Sequence, residues 1–106
     1  MSMTVVVTSA VPDRFRGFLA SAMLEVAPGV YTAPKMSKAV RDRIWSVCEE
    51  WSAEVGLQGF VVMTWVDGTQ PSGQGLRTLG RAARELVELD GVWLVRSDTP
   101  DPTVPF

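Results

Sequence analysis

Residues 3–19 read MTVVVTSAVPDRFRGFL, and this stretch decides the fold because it holds a strand, a tight turn and the start of a helix. Val5, Val6 and Val7 are three consecutive β-branched residues, a pattern typical of a strand covered on both faces. We therefore expect this strand near the centre of a sheet. Pro12 sets φ for the first turn of a helix, where its missing N–H leaves no hydrogen bond unmade.

The helix that follows carries an apolar stripe and, on other faces, two arginines. The apolar positions at helical spacing are Phe15, Phe18, Leu19, Ala22, Met23 and Val26. Arg14 lies on a different face and Arg16 flanks it, next to the helix start at Asp13. Amide N–H groups, the helix dipole and guanidinium groups all attract anions, so this start is a candidate phosphate-binding site. The alternative interpretation is an ordinary solvated helix face.

The size and composition of the chain indicate one globular domain. It has 106 residues, of which 46% are hydrophobic and 21% charged, enough for a single core. We predict a domain over residues 1–98 and a proline-rich tail over residues 99–106 that is docked or flexible. No apolar run reaches the roughly 18 residues of a membrane span, and the start does not resemble a signal peptide. We expect a cytoplasmic protein without a membrane partner.

The charge distribution and the reactive side chains limit the partners and the metal ligands that the chain could have. Residues 1–48 hold six Lys and Arg against three acids, whereas the remainder holds four against nine, so a polyanion is expected on the first half. Histidine is absent, and Cys48, the single cysteine, falls on an apolar stripe and is expected in the core. A metal site would therefore use carboxylates and water, which suit Mg²⁺ or Mn²⁺.

The middle of the chain predicts a small hairpin and a second helix. Residues 24–27 and 29–32 are two short extended segments about a Pro-Gly reversal, and residues 34–36 are expected to be a linker. Ser37 is a good N-cap for a helix that runs to Gly56. Its apolar stripe comprises Val40, Ile44, Val47, Cys48, Trp51 and Val55, with Trp45 to one side as an anchor for a subunit contact and Lys38, Arg41 and Asp42 off the stripe.

The remaining segments complete the predicted fold. Residues 60–66, FVVMTWV, are a second strong strand beside the first, and residues 67–75 form a glycine-rich loop. Residues 76–79 are a possible short strand, residues 81–89 are ambiguous between helical turn and loop, and residues 92–95 are a final strand. The order β-α-β-β-α-β predicts an α+β, ferredoxin-like plait with an extra C-terminal strand or hairpin. Both helices would cover one sheet face, and a two-fold homodimer would bury the other.

Five motifs in register resemble those of CRISPR-associated protein two of the type I-E subtype. They are V-V-V-T-x-x-V-P-x-R-x-R-G-x-L (5–19), L-E-V-x-x-G-V-Y (24–31), K-x-x-R-x-x-I-W (38–45), V-V-M-x-W (61–65) and L-D-G-V-x-L-V (89–95). The resemblance implies a ferredoxin-like homodimer that bridges two dimers of the integrase, CRISPR-associated protein one, in the complex that acquires spacers.

The resemblance also implies roles for individual residues. Arg14 and Arg16 match family arginines that meet the backbone of captured double-stranded DNA, and Lys38 and Arg84 match further basic positions more loosely. Phosphate contacts of this kind bind without reading sequence. The C-terminal segment resembles the family's docking edge for the integrase, which would add its strand to a neighbouring sheet. The residues of that edge are Glu85, Glu88, Asp90, Val92 and Leu94.

The chain departs from the wider family at the end of the first strand. The family carries there an acid that holds a metal for phosphodiester hydrolysis, and this chain has Ser9 instead, with Asp13 as the nearest acid. A serine hydroxyl is a poor magnesium ligand. Whether the chain is an enzyme stays open at this point. The leading hypothesis is a non-catalytic DNA-binding scaffold without a cofactor. The alternatives are an endonuclease for RNA or double-stranded DNA, dependent on Mg²⁺ or Mn²⁺, and a small dimeric plait that binds a metabolite.

Overall fold

The computed structural model describes residues 2–80 and 85–96, which form seven strands and two α-helices. Short 3-10 turns follow the second helix at Ser52–Glu54 and precede the fifth strand at Pro71–Gly73. The elements in chain order are β1 (Ser2–Ser9), α1 (Asp13–Ala22), β2 (Leu24–Ala27), β3 (Val30–Met36), α2 (Lys38–Glu50), β4 (Phe60–Val66), β5 (Gln74–Gly80), β6 (Glu85–Leu89) and β7 (Val92–Arg96).

Strand β1 is the centre of a five-stranded antiparallel sheet with the order β2-β3-β1-β4-β5. Its middle residue Val6 pairs with Tyr31 on β3 and with Met63 on β4. The central position predicted for residues 5–7 and the neighbouring position predicted for residues 60–66 are both confirmed. The α+β architecture, with β3 between the parallel strands β1 and β2, is compatible with a ferredoxin-like plait.

The two faces of the sheet have different environments. One face forms the core with both helices, and Phe15 and Leu19 of α1 and Ile44 and Cys48 of α2 are almost fully buried there. Along each strand, the side chains that point to the other face alternate with those that point into the core, and they are only half-buried. The open face is lined by Val5, Val7, Val30, Val62, Thr64 and Leu76.

Helix α2 begins as predicted but buries a different face. The Ser37 hydroxyl accepts the Val40 amide at 3.2 Å, which confirms the N-cap. The buried positions are Arg41, Ile44, Trp45 and Cys48, whereas Val40 is 47% exposed. The predicted stripe therefore differs from the observed buried face by about one residue. Positions 41, 44, 45 and 48 have the same three-and-four spacing as the predicted stripe, so spacing alone does not distinguish the two faces. Trp45 belongs to the core, so its prediction as a surface anchor was wrong, and Arg41 is not on a solvated face.

Three predicted boundaries also differ from the structure. Residues 34–36 belong to β3 and not to a linker, since β1 pairs as far as Met36 across an irregularity in the register. Helix α2 ends at Glu50, and Gly56 lies beyond the following 3-10 turn. Within the predicted loop 67–75, the strand β5 already begins at Gln74 and continues to Gly80.

Strands β6 and β7 form a separate antiparallel hairpin that turns at Asp90 and Gly91. Asp90 has φ of +53° and Gly91 has φ of +77°, as a tight turn of this kind requires. Hydrogen bonds join the hairpin to β5 and to the 3-10 turn before it. The Ser72 amide and hydroxyl donate to the Gly91 carbonyl at 2.5 and 3.4 Å, and the Trp93 indole N–H donates to the Gln74 carbonyl at 2.8 Å. The ambiguous segment 81–89 is strand from Glu85, and the predicted tail 99–106 lies outside the described residues.

Candidate nucleic-acid interface

The predicted phosphate site lies at the end of the sheet where β1 leads into α1. Ser9 ends β1, Ala10 has φ of +53°, and α1 begins at Asp13 directly after Pro12. Pro12 provides no side-chain cap, so the amides of the first turn have no side-chain acceptor. A shallow pocket of about 370 Å³ opens here, and Ser9, Asp13 and Arg16 line part of it.

Arg14 lies on the side of α1 that faces the end of α2. Its guanidinium forms an ion pair with Glu54 and stacks on the Trp51 ring, with Cζ 4.0 Å from the ring centroid. Trp51 is itself fixed by edge-on contacts with Phe15 and Phe18, whose ring centroids lie at 5.5 and 5.6 Å. The Arg14 side chain remains 47% exposed, so it can still be reached from solvent.

Arg16 lies on the opposite side of α1, next to the β2–β3 turn. Its guanidinium is 3.5 Å from a Glu25 carboxylate oxygen, and its side chain is 51% exposed. Glu25 also accepts the Gly29 amide at 3.0 Å. This amide is the main cause that lowers the pKa of Glu25, with smaller contributions from Tyr31 and Arg16.

The two arginines therefore form two separate contacts and not one cluster. Residues two apart on an α-helix point about 200° away from each other. Arg14 is drawn towards Glu54 and Arg16 towards Glu25, and each guanidinium already has a carboxylate partner. An approaching phosphate would compete with these acids, although exposed ion pairs are weak enough to exchange.

Lys38 lies elsewhere, at the far end of β1 from the start of α1. Its ammonium group donates to Asp42 at 2.8 Å, one turn along α2, and the side chain is 79% exposed. The strand rises over seven residue steps from Ser2 to Ser9, so the two ends lie about 23 Å apart. Lys38 thus belongs to a second basic region, and Arg84 lies outside the described residues.

The second basic region also contains Arg41, which was predicted only as a position off the apolar stripe of α2, and Arg77, for which no role was predicted. Arg77 donates to Asp42 at 2.8 Å, and the guanidiniums of Arg77 and Arg41 lie 5.1 and 4.4 Å from the centroid of the Trp65 ring. Arg41 shares the buried spacing of α2, which is the signal that could have identified it. The contact between Arg77 and α2 spans 35 residues and has no local signal.

The predicted docking edge lies on the β6–β7 hairpin. Val92 and Leu94 are 46% and 43% exposed, which leaves an apolar strip on β7. Glu88 accepts the Gly91 amide at 2.9 Å and so stabilises the turn next to Asp90. Glu85 begins β6, and its side chain lies outside the described part of the chain. The acids near this edge thus include one with a structural role.

The end of β1 offers a hydroxyl and a single nearby carboxylate as candidate ligands for a divalent metal. Ser9 offers a neutral hydroxyl, and Asp13 is the first residue of α1. Over residues 2–80 and 85–96, no three side chains of the Asp, Glu, Cys or His type come together as metal ligands would. The side chains present at this end therefore do not fit the metal that the wider family would hold there.

The fold defines the class of the protein as a small α+β protein with a five-stranded antiparallel sheet and two helices on one face. The sequence profile of the family described as CRISPR-associated protein (Cas_Cas2CT1978) matches residues 3–94, which is most of the chain. The chain belongs to this family, and its role is therefore CRISPR-associated. Neither described helix is long and apolar enough to cross a membrane.

Proposed function

We propose that two copies of this chain form a non-catalytic scaffold of the spacer-acquisition complex, as in the type I-E subtype. The scaffold binds double-stranded DNA through phosphate contacts and bridges subunits of the integrase, CRISPR-associated protein one. The family match over residues 3–94 carries this proposal. Ser9 at the end of β1 supports a structural role over a nuclease, because a neutral hydroxyl replaces the acid that hydrolysis needs.

The open face of the sheet supports the homodimer. Val5, Val7, Val62 and Leu76 are half-buried on a face opposite to both helices. A contiguous apolar face of this kind is unusual on a monomer, and a two-fold axis lets one surface cover its own copy. The dimer would also repeat Arg14 and Arg16 in two places along a duplex.

The two arginines at the start of α1 support phosphate binding. Each side chain is about half exposed, and the duplex offers a dense row of phosphates. The ion pairs with Glu54 and Glu25 hold both guanidiniums near the surface in defined positions. Contact with a duplex exchanges these carboxylates for phosphates, and no base edge takes part.

The β6–β7 hairpin supports docking of a partner by strand addition. It forms a two-stranded sheet apart from the main sheet, and among the described residues no third strand pairs with its outer backbone groups. Exposed Val92 and Leu94 add apolar contact area next to this edge. We assign this edge to the integrase.

Salt-dependent DNA binding tests the proposed function. The double variant Arg14→Ala/Arg16→Ala should bind a DNA duplex more weakly, and the slope of log K against log salt should flatten by about 0.9 per lost phosphate contact. The control Lys35→Ala/Arg43→Ala removes two exposed cations elsewhere and should keep most of the slope. Equal slopes in both variants would remove Arg14 and Arg16 from the interface. Sedimentation of the same samples should show a dimer in every case.

Co-purification with the integrase tests the docking edge. Leu94→Lys should reduce the amount of complex, because a charge enters the apolar strip on β7. Leu57→Lys is the matched control, since Leu57 is 83% exposed and lies far from the hairpin in sequence. Retention of the complex by both variants would refute the assignment of the edge. Cleavage of RNA or DNA that is lost on Asp13→Ala would contradict the non-catalytic role.

A further inference from the structure

The single tyrosine of the chain, Tyr31, has a buried hydroxyl group without a hydrogen bond. The residue is fully buried, and its hydroxyl has no hydrogen-bond partner among the described residues. An unpaired hydroxyl in such a place is costly, because burial removes its water and no other group replaces it. A hydroxyl that is unpaired in one state of a protein can gain a partner in another state.

The polar groups beside the Tyr31 hydroxyl belong to Glu25 and Arg16. Glu25 on β2 is the direct register partner of Tyr31 on β3, so their side chains lie on the same face of the sheet. Arg16 reaches Glu25 from α1 at 3.5 Å. Burial raises the pKa of the Tyr31 hydroxyl, Arg16 lowers it and Glu25 raises it, so both charged groups lie close enough to act on it. With a raised pKa, the hydroxyl keeps its proton at neutral pH and remains a donor.

The carboxylate of Glu25 is fixed independently of Arg16. Its Oε2 atom accepts the Gly29 amide at 3.0 Å. The Gly29 carbonyl in turn accepts the amide and the hydroxyl of Thr8 on β1, at 2.7 and 3.2 Å. A Cβ at Gly29 would lie 2.6 Å from the Thr8 carbonyl oxygen, so the turn packs tightly against β1. The carboxylate therefore stays in place when Arg16 moves.

The ion pair between Arg16 and Glu25 is loose. Its length of 3.5 Å exceeds the roughly 2.7–3.2 Å of a good N–H···O hydrogen bond. The Arg16 side chain is 51% exposed, whereas that of Glu25 is only 29% exposed. When Arg16 turns towards a phosphate, it exchanges one anion for another. Glu25 instead loses its ion-pair partner in a place that water reaches only in part, which opposes the movement.

We propose that the Tyr31 hydroxyl donates a hydrogen bond to Glu25 when Arg16 turns to a DNA phosphate. Tyr31 is thus a positioning residue, which acts on DNA through Arg16 and touches no phosphate itself. The exchange replaces the donor that the carboxylate loses and gives the buried hydroxyl the partner that it lacks. This inference rests on the proposed contact of Arg16 with the duplex and adds the group that makes the contact less costly.

Raman spectroscopy of the full chain without DNA tests the exchange. Because the chain has one tyrosine, the tyrosine Fermi doublet reports on Tyr31 alone, and its intensity ratio distinguishes a hydroxyl that donates from one that does not. Arg16→Ala reproduces the departure of Arg16, so the doublet should shift towards the donor state. Arg14→Ala removes the same charge from the other side of α1 and should leave the doublet unchanged. An unchanged doublet in Arg16→Ala would overturn the inference.

A variant without the hydroxyl tests the effect on DNA binding. Tyr31→Phe should bind a labelled DNA duplex about three- to tenfold more weakly, because the donor that replaces Arg16 is lost. The slope of log K against log salt should not change, since every phosphate contact remains. The melting temperature should stay equal or rise, because the variant removes a buried unpaired hydroxyl, whereas a purely structural role for the hydroxyl predicts a fall. An equal or tighter duplex affinity would contradict the inference, since a hydroxyl that held Arg16 back would release it on removal.

Thr4→Val is the matched control. The Thr4 hydroxyl is likewise buried without a partner among the described residues, and Thr4 lies in the other half of β1, opposite Trp65. Its removal should leave the duplex affinity unchanged. An equal loss of affinity in Thr4→Val and Tyr31→Phe would overturn the inference. Failure of the unchanged chain to bind a duplex would refute the proposed function, whereas the Raman measurement decides the exchange at Glu25 without DNA.

Discussion

Two arginine–tryptophan pairs at opposite ends of the sheet show the same chemistry in opposite surroundings. Arg14 stacks on Trp51 at 4.0 Å, is half exposed and has Glu54 as a partner. Arg41 stacks on Trp65 at 4.4 Å, is buried and has no ion-pair partner among the described residues. The first pair lies at the surface with a carboxylate in contact, whereas the second lies in the core near Asp67. Hydrogen bonds from Thr69 and, to a smaller extent, the charge of Arg41 lower the pKa of Asp67.

The difference in exposure between the two pairs determines how much each pair stabilises the fold. The Arg14 pair contributes little to stability because water and salt screen exposed charges. The Arg41 pair makes its cation–π contact in a buried site, where water and salt screen the charge less. The Arg41 pair should therefore contribute more to the stability of the fold than the Arg14 pair.

Removal of the two tryptophans should give the largest effects. Trp65 is 8% exposed, so Trp65→Ala should lower the free energy of unfolding by about 3–5 kcal/mol. Trp51→Ala should cost less, because Trp51 is only partly buried and lies at the end of α2. Urea denaturation monitored by circular dichroism measures both values. A larger loss for Trp51→Ala would reverse the comparison.

A pair of glycine variants sharpens the role of the Trp65 ring. At Gly75, opposite Trp65 on β5, an added Cβ would lie 2.1 Å from the ring, so Gly75→Ala should cost about 1–3 kcal/mol of unfolding free energy. At Gly68 an added Cβ meets nothing within 4 Å, so Gly68→Ala should change stability by no more than about 0.5 kcal/mol. Similar denaturation midpoints for the two variants would contradict the packing of Trp65 on Gly75.

The carboxylate at the Arg14 end should limit DNA binding. Glu54→Gln removes the ion pair of Arg14 while it keeps the size of the side chain, so the duplex affinity should rise a few-fold at low salt. Glu50→Gln removes a charge from an exposed position on α2 and serves as the control. Fluorescence anisotropy with a labelled duplex measures both. An equal rise in duplex affinity in both variants would mean that the loss of one negative charge, and not the loss of the Arg14 ion pair, strengthens binding.

Acid should destabilise the Arg41 end of the sheet by a smaller amount. Hydrogen bonds from Lys38 and then Arg77 lower the pKa of Asp42, and those from the Thr69 hydroxyl and amide lower the pKa of Asp67. A folded-state pKa below that of the unfolded chain means that the unfolded state binds more protons, so this stability is present above about pH 4 and is lost as the pH falls further. Asp67→Asn should show a shallower loss of melting temperature below that pH. If the melting temperature of Asp67→Asn falls with pH as steeply as that of the unchanged chain, Asp67 does not contribute to this acid-dependent stability.

The sequence patterns predicted the parts of the fold that depend on local order. Consecutive β-branched residues identified β1 and β4, and Ser37 identified the start of α2, because strand burial and capping act within a few residues. The buried face of α2 was predicted incorrectly because an arginine and a tryptophan replace aliphatic residues at positions 41 and 45. Pairing with β1 extends β3 through Pro34, although proline suggested a linker.

The candidate site was predictable in its position but not in its contacts. The arginines at the start of α1 were evident from their spacing near Pro12. Their partners Glu54 and Glu25 come from other elements, so only the tertiary structure shows that Arg14 and Arg16 diverge. The contacts of Arg41 with Trp65 and of Arg77 with Asp42 likewise join segments that are distant in sequence.

The glycines around the end of β1 restrict where a carboxylate side chain could be introduced in this part of the chain. A Cβ at Gly29, Gly59 or Gly80 would lie 2.6, 2.7 or 2.4 Å from a backbone carbonyl oxygen, so these positions cannot accept a carboxylate without movement of the main chain. Ser9 and Ala10 are exposed at the same corner, and Ala10 already has the positive φ that Asp and Asn tolerate. Ser9 and Ala10 therefore accept a carboxylate at this corner more readily than these three glycines do.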